Sequence, residues 1–115
     1  MIVIVVPKGE IAEVVQENFG SKEDLAEWIK EAAEQVLNEA TCGEAYVWEL
    51  DPLRNEYVPQ SGEAAYQVGV SNEDIEGILQ GIRSHEDYQP SWEEGIARAL
   101  PRLQQIVEEY VWGCV

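Results

Sequence analysis

The stretch from Ser21 to Ala40 constrains the fold of this chain most. Leu25, Trp28, Ile29, Ala32, Ala33, Val36, Leu37 and Ala40 recur at intervals of three and four, the period of an amphipathic helix. At about 100° per residue they fall on one side of a cylinder. Val36 is expected at the centre of that side. The middle of the opposite side is Glu23, Glu27, Glu31 and Glu34. One face can drive folding, and the other carries more negative charge than folding needs.

The ends of this helix are marked. Gly20 stops whatever precedes it, Ser21 is a cap, and Asp24 stands three residues on, where a capping-box acid belongs. Ser71 and Asp74 repeat the pattern before a second helix over 72–84, whose apolar side is Ile75, Ile78, Leu79 and Ile82. Ser91 and Glu94 form a better box before a third, over 92–111. Pro101 lies inside that third segment and removes a backbone donor, so a kink or break is expected there. Ile11 to Phe19 reads as a short helix, with a returning hairpin strand as the alternative.

Strand signals occupy the rest. Ile2–Val6 is a continuous β-branched run, expected to be covered on both faces and so central in a sheet. Tyr46–Leu50 alternates, a turn-rich stretch follows, and Glu56–Val58 returns as a hairpin. Ala65–Val70 alternates again, with Tyr66, Val68 and Val70 facing one way. The expected fold class is α+β. It is a single acidic domain over residues 1–115, with a small, largely antiparallel sheet of three to four strands and about three helices mainly on one face.

Charge carries the functional argument. The chain holds 23 acids against 7 basic residues, a net charge of −16. The excess is spread: residues 71–90 carry one Arg against five acids, and residues 91–115 two Arg against four. It therefore belongs to a folded surface and not to a solvated tail. Such a surface repels nucleic acid and anionic membrane and attracts basic proteins. Solubility, or adaptation to high salt, is the plainer explanation.

Catalytic signals are weak. The single His85 stands in a polar loop with Glu86 and Asp87. Cys42 and Cys114 have no metal-binding or catalytic spacing. They are expected as free thiols, with one disulfide as the alternative. Pro7-Lys8-Gly9 lacks the further residues of a phosphate-binding loop. No enzyme activity, cofactor or metal is expected. The apolar start is too short for a signal peptide and no run reaches a membrane span, so a cytoplasmic protein is expected.

Glu residues at i and i+4 lie about 6 Å apart along a helix, of the order of the phosphate spacing on a nucleic-acid strand. Glu23, Glu27, Glu31 and Glu34 are the expected partner-binding row, extended by Glu73, Asp74 and Glu76. Lys30 interrupts the row and is expected to pair with Glu27 or Glu34. Gly77 and Gly81, four apart in the second helix, require a reason, because glycine costs about 1 kcal/mol against alanine in a helix interior. The favoured reason is close packing of another element; the other is a partner. The expected function is inhibition by nucleic-acid mimicry: an acidic domain occupies the nucleic-acid groove of a basic nuclease or effector, as antirestriction, anti-CRISPR and immunity proteins do, by analogy of charge and size alone. The alternatives are a non-catalytic adaptor subunit whose acidity serves solubility, and a small enzyme with an unrecognised site.

Overall fold

The structure, a computed structural model, describes residues 1–41 and 64–113. The expected hairpin at Tyr46–Leu50 and Glu56–Val58, and both cysteines, lie outside them. The described elements run β1 (Ile2–Pro7), α1 (Glu10–Phe19), α2 (Lys22–Ala40), β2 (Ala64–Val70), α3 (Asn72–Arg83), α4 (Trp92–Ala99) and α5 (Leu103–Gly113). The class is α+β. Ile11–Phe19 is helical, as favoured, and Gly20 ends it with a φ of 86°, a conformation glycine adopts without steric cost.

The expected sheet of three to four strands is corrected to two among the described residues. β1 pairs antiparallel with β2, Ile2 opposite Val70, Ile4 opposite Val68 and Val6 opposite Tyr66, with an irregularity between Val6 and Pro7. The central position assigned to β1 is also corrected, for two reasons. Only one of its faces is buried: Ile2, Ile4 and Val6 are enclosed, while Val5 is 46% exposed. Its edge away from β2 is occupied at Val3 by a side chain. The Val3 N–H donates to Gln104 Oε1 at 2.9 Å, and Gln104 Nε2 donates to the Val3 carbonyl at 2.9 Å. The amide of Gln104, from α5, thus makes the two bonds that a neighbouring strand would make. A continuous β-branched run suits a pleated backbone whether or not both faces are covered, which is why the pattern overstated its burial. β2 alternates as expected, with Val68 and Val70 buried, Tyr66 half-buried and Gln67 exposed.

α2 touches α1, α3, α4, α5 and β2. Its line of deepest burial runs through Ile29, Ala33, Leu37 and Ala40, each with no exposed surface. Val36, expected at the centre, is half-buried on the flank of this line. On one flank of the helix an aromatic stack joins three helices: Trp28 lies 4.7 Å from Phe19 of α1 and 4.8 Å from Tyr110 of α5, between ring centroids. The C-terminal end of α2 meets α4 so closely that a Cβ at Gly95 would overlap the Ala40 carbonyl oxygen.

The caps divide. At α2 the full capping box forms: Asp24 N–H donates to Ser21 Oγ at 3.2 Å, and Ser21 N–H donates to Asp24 Oδ2 at 3.1 Å. At α3 the Asp74 N–H donates to Ser71 Oγ at 3.2 Å. At α4 the expected box is absent. Ser91 is itself helical, at φ −62° and ψ −23°, whereas a capping side chain needs extended backbone to reach back over the first turn. Glu94 instead accepts from Arg98 at 2.9 Å. Pro101 breaks the third segment as expected, within a 3-10 turn at Leu100–Arg102 that separates α4 from α5.

Two substitutions test this packing. Leu37→Ala is expected to cost about 2–5 kcal/mol in urea unfolding, and Gly95→Ala about 1–3 kcal/mol through overpacking against α2. Parent-like stability in either variant would place the α2 seam elsewhere.

Candidate functional site

The acids of the expected binding row, Glu23, Glu27, Glu31 and Glu34, are all exposed on α2, and Glu73, Asp74 and Glu76 are all exposed on α3. The fold assigns them unequal roles. Glu23 and Asp24 lie in the first turn of α2, and Glu73 and Asp74 in the first turn of α3. Negative charge there stabilises the positive end of the helix dipole. Asp74 is further committed, accepting from Ser71 Oγ at 3.0 Å. Glu27, Glu31 and Glu34 lie beyond that first turn of α2, and among the described residues no ion pair neutralises them.

Lys30 does not pair within its own helix. Its Nζ lies 3.9 Å from Asp74 Oδ1, reaching across to α3. Both side chains are about half exposed, so this contact contributes little to stability. It leaves Glu27 and Glu34 without the intrahelical partner expected for them. The cross-helix reach depends on α3 lying beside α2, a placement that local spacing does not contain.

Between α2 and α3 runs a groove of about 580 Å³. It brings Glu34 together with Glu73 and Asp74; Glu23, Glu27, Glu31 and Glu76 lie outside it. Ile78, Ile82 and Trp92 supply its apolar surface, and His85 stands at the α3–α4 end. Gly77 and Gly81 also line it. The favoured reason for these glycines, close packing of another element, is not met among the described residues: none of them lies within 4 Å of a Cβ built at either one. The buried side of α3 is Ile75, Ile78, Leu79 and Ile82, and the glycines stand on the far side of Ile78, facing the groove. The sequence marked the two glycines and the acids separately; their meeting in one groove comes from the tertiary packing of α3 on α2.

The loop after α3 is held by a charged clasp. Arg83 binds Glu93 through Nη2 at 2.7 Å and Nε at 3.0 Å, and Tyr88 Oη donates to Glu93 Oε2 at 2.9 Å. Tyr88 packs edge-on against Trp92, with centroids 5.8 Å apart. The clasp fixes Trp92 at the groove. His85 Nδ1 accepts from the Asp87 N–H at 3.1 Å. Among the described residues no group of three or more His, Cys, Asp or Glu could hold a metal ion, and no helix is long and apolar enough to cross a membrane.

Comparison with protein-family models, with curated proteins and with solved structures finds no match.

The clasp predicts a pH response. The hydrogen bond from Arg83, then that from Tyr88, holds the Glu93 carboxyl below its ordinary value of 4.5. A depressed carboxyl contributes stability above its unfolded range and loses it as pH falls through the lowered value. In an NMR titration Glu93 is expected to protonate below its ordinary value of 4.5, and the Trp92 indole signal to move with it. A Glu93 midpoint at or above 4.5 would contradict the clasp.

Proposed function

We propose that this protein binds a basic protein partner through its α2–α3 surface and acts by occupying the partner's nucleic-acid-binding surface, without catalysis of its own. The observation that carries the reading is the state of Glu27, Glu31 and Glu34: exposed, successive on one helix, and, among the described residues, left without a neutralising cation because Lys30 turns to Asp74. Helix geometry spaces Glu27 and Glu31 by about 6 Å along the axis, and Glu31 and Glu34 by about 4.5 Å. With a net charge of −16 the protein is a poor ligand for nucleic acid or anionic membrane. It is a suitable one for a surface built to receive phosphates. A nuclease or effector complex of the cytoplasm is the partner class this favours, of the kind that restriction, CRISPR and toxin systems supply.

A second reading, an adaptor whose acidity serves solubility, is supported by Glu23, Asp24, Glu73 and Asp74, whose positions at helix starts account for them within the fold. The two readings differ in what salt and charge reversal do. Recognition by charge predicts fast, salt-sensitive association and an energetic cost concentrated in a few residues.

The test uses Glu27→Lys, Glu31→Lys and Glu34→Lys combined. Thermal stability is expected to hold or rise slightly. Capture of basic nucleases or effectors from extract, measured on immobilised protein at low and high salt, is expected to disappear in the variant and to fade with salt in the parent. For a purified partner the affinity is expected to fall at least tenfold, about 1.4 kcal/mol. Unchanged affinity would remove these three residues from the site.

A further inference from the structure

We propose that the groove between α2 and α3 seats an arginine- or lysine-bearing segment of the partner, with the aliphatic stems over Gly77 and Gly81 and the cationic heads at Glu34, Glu73 and Asp74. This rests on the reading of the protein as a binder of basic partners and names the contact that gives it shape specificity. The groove combines two surfaces that a single kind of side chain satisfies. Among the described residues its lining carries three carboxylates against one ammonium, that of Lys30, which already faces Asp74. Its floor is backbone and hydrocarbon: the two glycines, with Ile78 and Trp92 beside them. Arginine and lysine lay an apolar stem along such a floor and keep the charge at the rim. An acidic segment is repelled by the walls, and a purely apolar one leaves the carboxylates unpaired. A second copy of this chain brings the same −16 to the contact and is disfavoured by charge.

The glycines leave room on the groove side of α3 among the described residues. Each is a poor helix residue, and the described chain contains nothing that an alanine would strike. Methyl groups at both positions would raise the floor where the stems lie. About 580 Å³ is room for more than one side chain, and it falls within the size range of sites that enclose compact ligands.

The test is the double variant Gly77→Ala/Gly81→Ala, made in the full chain. It leaves every charge in place, so it separates the shape of the groove from the general attraction of an acidic protein for cations. The probe is an oligo-arginine peptide, with oligo-glutamine as control, followed by calorimetry and by amide NMR. In the parent the peptide is expected to bind saturably and to move the Gly77 and Gly81 amide signals. In the variant its affinity is expected to fall at least tenfold, while the melting temperature rises by a few degrees. Equal affinity in parent and variant would overturn the groove and leave the acidic-surface reading standing. A variant that melts lower would show that the added methyls strike part of the chain, and would overturn it as well. A parent that does not bind oligo-arginine would overturn both.

Discussion

The structure depends on the apolar seam of α2. Ile29, Ala33, Leu37 and Ala40 follow one another along the helix with no surface left to solvent, and every other described helix, with β2, rests on this helix. Two small residues in the seam let neighbours come close. At Ala40 the approach is so near that α4 must present Gly95. Hydrophobic burial of this kind is insensitive to charge on the far side of the helix. That separation is what allows an unusually acidic outer surface on an ordinary core.

The acids then fall into two groups by what the fold asks of them. Those at helix starts are accounted for locally by dipole and cap, Asp24 most completely through its reciprocal bonds with Ser21. Those beyond the first turn of α2 are not. Unpaired like charges close together raise the energy of the compact state, so they are carried at a small cost. The groove beside them shows the same economy reversed: α3 gives up helix propensity at two positions and the described chain makes no packing use of the space. Among the described residues, carboxylates without a cation and space without a side chain lie on the same side of the molecule, and the basic segment we propose would supply both.

How much of this was legible in the sequence depends on the range of each interaction. Ser21 with Asp24, Ser71 with Asp74, and the break at Pro101 are matters of neighbours within one turn, and local pattern found them. Ser91 shows the limit of that logic: the residues of a cap are present, but the chain enters α4 already helical, and Glu94 turns to Arg98. β1 departs from the expectation its pattern raises because β-branching reports on backbone shape as much as burial, and because its edge at Val3 is taken by Gln104, far along the chain. Lys30 departs from its local pattern for a similar reason: Asp74 becomes its neighbour only when α3 packs on α2. Gly77 and Gly81 were conspicuous at once, since their cost is local. Their surroundings were not, since the groove is a product of the fold.

The central claim is that the outward charge is surplus to folding and held against its own repulsion. The most direct measurement is the free energy of unfolding in urea across sodium chloride concentrations, from about 0.02 M, where the screening length exceeds 20 Å, to about 0.5 M, where it falls below 5 Å. Screened repulsion predicts that stability rises with salt at an unchanged denaturant slope. A fall in stability with salt would show that attractive charge pairs hold the fold together, and that the acids of α2 are not free to serve a partner.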